Sequence, residues 1–473
     1  MQLTREINRL FAGLLVVFLL VAVAAAYWAI IGPVTILQRE DNPRLVEAEA
    51  RLMRGHIYDR RNNLLVASMT GTNQRQQRQY LHPETSSITG YASLRYGTGG
   101  AEAAYDALLR GDNLPRNFNA ALADHLLHRP QRGSDIRLSL DLGVQQVVAE
   151  AMHDLKGAVV VLAVPSGDIL GLVSAPGYNP QTLDESWDEL AADPDTPFFN
   201  RALQGNYQPG GTLQTPLMAA ALLHNQPLDD PIENATVPVA LPELEVNCAV
   251  RLPYETLSLQ EAYAFSCPAP FARLAESLGQ NTLDALLNTF HFNQRPVLGG
   301  FMPAAEASST PAPLLNSGSV IENALGQGGL TTSPLEMALM AAAIVNDGNA
   351  PQPNLLLATR APDASDWTRV VTVRPTLPYS TDSTARRLQD LMRGAVAIGA
   401  AANAGRPGMD IGGHATLAYS GEESQAWFIG FATLPGERGI AVAVVLEDSA
   451  DPGLAADIGG DALAAAHAAL QTP

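Results

Sequence analysis

The stretch best placed to do chemistry runs from Phe198 to Leu223, where an aromatic and polar approach enters Pro209-Gly210-Gly211 and then an apolar helix, with Thr212 a candidate cap. Helix N-termini that open from such turns suit a nucleophile, because the positive end of the macrodipole stabilises negative charge. No Ser, Cys, Lys or His stands in this turn. A lysine base is equally absent nearby: Lys156 is the single lysine of the 473 residues, so nearly all positive charge is arginine. The two cysteines, Cys248 and Cys267, lack the Cys-His spacing of a zinc site, and neither a metal nor a cofactor is expected. They could form one disulfide if the domain lies outside a membrane, or remain two buried thiols.

The elements around this stretch set the frame. An apolar fraction of 47% with 16% charged residues describes a folded chain, long enough for more than one domain. A formal charge of −19 without a dense arginine face excludes nucleic acid as a partner. Leu10 to Ile31 is almost continuously apolar, preceded by Arg5 and Arg9, with Glu40 and Asp41 beyond its far end. This predicts one transmembrane helix over 10–31, a cytoplasmic N-terminus over 1–9 and the bulk of the chain outside the cell membrane. Val23-Ala24-Ala25-Ala26 would suit a signal peptidase, but the apolar run is longer than a signal-peptide core, which favours an uncleaved anchor.

Arg54 to Leu65 reads as a strand, a polar turn and a second strand, and the Tyr/Arg/Gly-rich stretch from Arg78 to Arg110 as an irregular structural pedestal. A linker around a short amphipathic helix is expected over 115–133. From Asp135 the pattern sharpens into a strand at 136–140, a helix from Leu142 capped by Asp141, and a hairpin of Ala158–Val164 with Ile169–Val173. An irregular acidic stretch, 184–195, then leads to the opening turn. Further on come a helix over 257–265, a break forced by Pro268 and Pro270, and a resumed helix over 271–278. An exposed loop is expected over 303–313, and Ser333-Pro334 should open an apolar helix. Strands at 426–432 and 439–446 and a closing helix at 459–470 complete the chain. Strands from both ends of the domain and a helical middle imply an α+β layered domain, with its site where sheet edge meets helices.

Several ordered motifs then point one way. Arg54-Gly55-His56-Ile57-Tyr58-Asp59-Arg60, Lys156-Gly157-Ala158-Val159-Val160 and Ser166-Gly167-Asp168-Ile169-Leu170 are followed by Phe199-Asn200-Arg201-Ala202 and the Pro209-Gly210 turn. Leu325-Gly326-Gln327-Gly328, Ser333-Pro334-Leu335-Glu336-Met337-Ala338 and Ala426-Trp427-Phe428-Ile429-Gly430-Phe431-Ala432 complete the series. With them the chain resembles the class B penicillin-binding proteins, membrane-anchored D,D-transpeptidases that cross-link peptidoglycan, and is most similar to the actinobacterial-type elongation transpeptidases. The resemblance implies an α+β, β-lactamase-like transpeptidase domain over 135–473, a sheet flanked by helices, with an N-terminal pedestal or dimerisation-like domain over 32–134.

The family's chemistry rests on three motifs, and all three are altered here. A Ser-x-x-Lys at a helix start supplies nucleophile and base, a Ser-x-Asn between helices relays protons, and a Lys-Thr/Ser-Gly on the wall strand binds the substrate carboxylate and helps form the oxyanion hole. Here Pro209-Gly210-Gly211-Thr212-Leu213-Gln214 puts Gly211 at the nucleophile position and Gln214 at the base position. Ser266-Cys267-Pro268 keeps a hydroxyl but loses the amide, and His414-Ala415-Thr416-Leu417 keeps a candidate cation but loses the Thr hydroxyl and the glycine of that motif. Thr212 and Thr215 point elsewhere round the helix and cannot replace the lost serine.

The resemblance therefore implies a catalytically inactive pseudo-transpeptidase acting as scaffold or regulator in cell-wall synthesis. Its expected partners are a glycosyltransferase or other penicillin-binding proteins in the membrane, with a peptidoglycan stem peptide as a candidate ligand. The alternative is an acyl-transfer enzyme using Ser266 with His414, although no carboxylate can be assigned to orient that histidine. A third expectation makes Ser266, His414 and Thr416 a substrate-binding set in which His414 is cationic at mildly acid pH.

Overall fold

The computed structural model describes residues 2–30, 49–71, 75–112, 131–294, 296, 298, 318–371, 375–421, 423–436 and 438–471. The expected loop over 303–313, most of the linker over 115–133 and the start of the pedestal before residue 49 lie outside the described residues. The chain divides into two compact units. One, made of 1–53, 68–77 and 115–132, contains the helix Gln2–Ile30. Within it Ile7–Ala25, with a mean hydropathy of 2.4, is long and apolar enough to be a candidate membrane span.

The other unit holds 54–67, 78–114 and 133–473. Its centre is a five-stranded antiparallel sheet in the order Ile411–Ser420, Glu423–Leu434, Arg438–Leu446, Gly157–Val164, Ile169–Ala175, so strands from the two ends of the domain do lie side by side. Every residue of Gly157–Val164 is buried, because both faces of the sheet are covered. Val160 and Leu162 pack with Met337 and Ala341 of the helix Pro334–Val345, whereas Val159 and Val161 pack with Val144, Val148, Ala456 and Leu463 of the helices Leu142–Ala151 and Pro452–Gln471. Covering of both faces explains why the strands read as unbroken apolar runs rather than as alternating ones.

In a second sheet of this unit, Ile57 pairs parallel with Ile136 and antiparallel with Val66, and Leu356–Arg360 pairs with Asp135–Leu138. Beneath it, the buried Glu102 carboxylate accepts hydrogen bonds from Arg54 Nε at 3.0 Å and Arg78 Nε at 2.6 Å, pairing charges that burial would otherwise penalise. The expected caps at Asp141 and Ser333 are present: Asp141 accepts from the Gly143 and Val144 amides, and Ser333 from the Glu336 amide.

Three local expectations change. The acidic stretch is the helix Leu183–Ala192, with Asp184 and Glu185 in its first turn, where the macrodipole favours negative charge. The expected break between two helices is present at 265–267, but the second helix starts earlier than expected, at Pro268, since proline at the first helical position lacks only an amide that had no partner. Thr212 does not cap the central helix: a short 3-10 turn, Gly210–Leu213, precedes Gln214–Leu223, and the Thr212 hydroxyl donates to the Pro209 carbonyl at 2.6 Å.

Candidate functional site

The approach to the turn is held from several sides. Tyr207 and Thr332 exchange both backbone hydrogen bonds at 2.9 Å, and the Gly210 amide donates to the Gly326 carbonyl at 3.1 Å. Gly326 has a φ of 65°, and a β-carbon there would run into the Gly210 backbone, so only glycine permits this approach. Trp427 Nε1 donates to the Gln208 carbonyl at 3.1 Å. Below, the buried Arg201 donates to Glu447 Oε1 at 2.9 Å, and the Tyr207 hydroxyl donates to the same oxygen at 2.7 Å. Lys156 Nζ lies 3.4 Å from Glu447 Oε2 and 3.1 Å from Asp195 Oδ1. The Lys156, Arg201 and Trp427 motifs thus anchor the approach to the turn.

Three segments far apart in sequence converge on Gly211. The first is the turn itself. The second is Ser266, in the left-handed region at a φ of 52°, between the helices Leu259–Ala264 and Pro268–Leu278. The third is Ile411–Ser420, the edge strand of the central sheet, on which His414 and Thr416 alternate onto one face. The Ser266 and Thr416 hydroxyls hydrogen-bond each other at 2.6 Å, and both residues are buried. A β-carbon built on Gly211 would collide with Thr416 Oγ1 and lie 2.8 Å from Ser266 Oγ. The space a side chain at 211 needs is filled by these two hydroxyls.

His414 is fully buried and lies flat against Tyr263, ring centroids 4.3 Å apart and planes 9° from parallel. Its Nε2 is 3.2 Å from the Gly211 carbonyl, and because a carbonyl can only accept, Nε2 carries the proton. Nδ1, the nitrogen with the lone pair, is buried with no hydrogen-bond partner among the described residues. Burial lowers the His414 pKa to about 4, with the Gly211 carbonyl acting weakly in the other direction, so the ring stays neutral at mildly acid pH. This corrects the expectation of a cationic His414, because no carboxylate shares its site to offset the desolvation. Gln214 is also buried, and its Oε1 has no partner.

The structure brings Gly211, Ser266, His414 and Thr416 together but does not hydrogen-bond Ser266 to His414. Tyr263, absent from the expected set, backs His414 while its hydroxyl pairs with Thr215 Oγ1 at 3.0 Å. Nothing local in the sequence marks that pairing, since the partners are 48 positions apart. Cys248 and Cys267 are joined in a disulfide, which resolves the two expectations left open for them and fixes the chain next to Ser266.

A helix start, a turn between helices and an edge strand meeting at one point define a transpeptidase-type domain. The family described as penicillin binding protein transpeptidase domain matches residues 157–468, and that described as penicillin binding protein A dimerisation domain matches 54–136. The peptidoglycan D,D-transpeptidase PbpA of Mycolicibacterium smegmatis is 32% identical over 464 residues, spanning 91% of this chain and 89% of that protein. Its Mycobacterium tuberculosis counterpart is 30% identical over 433 residues, 87% of each. Among solved structures, penicillin-binding protein A from M. tuberculosis in its imipenem acyl-enzyme complex superposes with a TM-score of 0.77 at 29% identity, over 89% of this chain and 99% of that one. The D,D-transpeptidase domain from Eggerthella lenta gives 0.75 at 25% identity, over 90% and 100%. The chain belongs to the penicillin-binding protein transpeptidase family, in its class B, actinobacterial PbpA-like branch.

Proposed function

We propose that this chain is a catalytically inactive member of the family, a membrane-anchored scaffold or regulator in peptidoglycan synthesis. The observation that carries it is Gly211: the nucleophile position has no side chain, and the Thr416 and Ser266 hydroxyls occupy the room one would need. The relatives' names describe transpeptidases, and that activity needs a nucleophile and a base as a unit, of which Gly211 and Gln214 supply neither. In this reading a pedestal over 32–134 and a transpeptidase-like domain over 135–473 stand outside the membrane, an orientation that the Cys248–Cys267 disulfide supports. Their partners are a glycosyltransferase or other penicillin-binding proteins of the wall-building complex.

The test is covalent labelling. The full-length chain in lipid nanodiscs should form no denaturation-resistant adduct with a fluorescent penicillin, with M. tuberculosis penicillin-binding protein A, which forms a penicillin G acyl-enzyme, as the positive control. An adduct on this chain overturns the proposal.

The alternative enzyme needs His414 to take a proton from Ser266. Against it stand the Ser266 hydroxyl's bond to Thr416, the unpartnered Nδ1 and the burial of all three residues. That reading predicts small-ester hydrolysis that disappears with Ser266→Ala, and a rate unchanged by the substitution sinks it.

A further inference from the structure

Away from that cleft, the same unit contains a cavity of about 440 Å³ between the 86–100 and 174–204 segments. A volume of this size lies in the range of small-ligand sites. In a chain of net charge −19, none of the sixteen lining residues is charged or a histidine, so the cavity suits an uncharged ligand. Its walls combine two chemistries.

The first is aromatic. Tyr91, Tyr178 and Phe198 line the cavity and meet edge to face or tilted, Tyr91 to Tyr178 at 6.1 Å and Tyr178 to Phe198 at 5.1 Å. Trp187 braces Phe198 at 4.8 Å and stacks flat on Tyr96 at 4.0 Å, which fixes the wall before any ligand arrives. Phe199, also lining the cavity, is 39% exposed and stacks on no other aromatic ring among the described residues.

The second chemistry is hydroxylic. Ser86 is only 5% exposed and lines the cavity, and its hydroxyl makes no hydrogen bond to the described residues. Among the described residues the Tyr91 and Tyr178 hydroxyls likewise make none. Burial pushes both phenols above their usual range, so they stay protonated and can donate as well as accept. Hydroxyls that face the cavity can exchange a hydrogen bond to water for one to a ligand.

Apolar ring faces beside neutral hydroxyls are complementary to a sugar ring, which offers C–H faces to aromatic rings and hydroxyls to hydrogen-bonding groups. We propose that this cavity, lined by Tyr91, Tyr178, Phe198 and Phe199 together with Ser86, is a binding site for a neutral saccharide. A free peptide fits less well, since its charged termini would find no counter-charge among the lining residues. The inference is independent of whether the Gly211 cleft is active.

The probes are N-acetylglucosamine and its β-1,4-linked tetramer, titrated against the full-length chain in lipid nanodiscs and followed by saturation-transfer NMR and calorimetry. The expected result is binding that Phe199→Ala weakens about tenfold and Tyr178→Phe weakens severalfold, with melting temperatures unchanged. Equal affinity for the two probes supports a site for a free sugar, and preference for the tetramer supports a site for a glycan chain. Absence of binding by both overturns the proposal. So does binding that Phe199→Ala leaves intact, or displacement of the tetramer by an N-acetylated, C-amidated dialanine, which would make the cavity a peptide site.

Discussion

Beside Gly211 the Ser266 and Thr416 hydroxyls bond each other at 2.6 Å, whereas around the aromatic cavity the Ser86, Tyr91 and Tyr178 hydroxyls make no hydrogen bond to the described residues and border open volume. Both places belong to one unit and both use uncharged hydroxyls. Pairing makes the difference. A hydroxyl satisfied inside the protein is part of the packing, and one that faces open volume at a cavity is available to a ligand. By this criterion Gly211 sits in packed core, while the aromatic cavity is where we propose binding.

The largest effect expected at the closed cleft is pH dependence. His414 is held neutral with a pKa of about 4, against an ordinary value of 6.5. Below pH 6.5 the unfolded chain takes up a proton that the folded chain does not. Stability linked to His414 is therefore complete above pH 6.5 and is lost as pH falls toward 4, on the order of 3 kcal/mol in all. Urea titrations at several pH values should show this slope in the wild type and a flatter one in His414→Phe. Equal slopes would mean that the ring is reached by water, and the cleft would then be open like the cavity.

A comparable effect is expected from the disulfide that braces Ser266. Its cysteines are 19 positions apart, and replacing both by alanine should lower stability by about 3 kcal/mol, read from melting with and without reductant. A melting temperature indifferent to reductant would show that the bond is not what holds the cleft shut.

Restoring the serine should be costly in this setting. Gly211→Ser forces a side chain onto Thr416 Oγ1 and should destabilise by about 1–3 kcal/mol. Thr416→Gly should recover much of that loss when the two are combined, and a double-mutant cycle measures the coupling. Additive effects would falsify the claim that Thr416 fills the nucleophile's room. The smallest effect is expected from Ser266→Ala, about 1 kcal/mol, because it leaves the Thr416 hydroxyl without its partner.

Much of the frame was legible in the chain. The strands at 158–164, 169–173, 426–432 and 439–446 stand out as apolar runs because helices cover both faces of their sheet. The Leu183–Ala192 helix was hidden by its acidic exposed surface, and the opening role of Pro268 was hidden because proline signals either a break or a first turn. At the cleft, the residue types Gly211 and Gln214, on which the proposal of inactivity rests, stand in the sequence itself. The stacking of Tyr263 on His414 and the Ser266–Thr416 bond were not, since the latter pair is 150 positions apart and no local pattern couples them.

The sequence by itself determined which atoms are absent: a glycine has no hydroxyl and a glutamine no amine, whatever surrounds them. Only the tertiary structure decided what became of the space they left. Side chains from a helix junction and an edge strand fill it, because close packing and paired hydroxyls are favoured over an empty polar pocket. The same packing left a second pocket unfilled, where fixed aromatic rings and unpartnered hydroxyls from segments some 100 residues apart meet around open space.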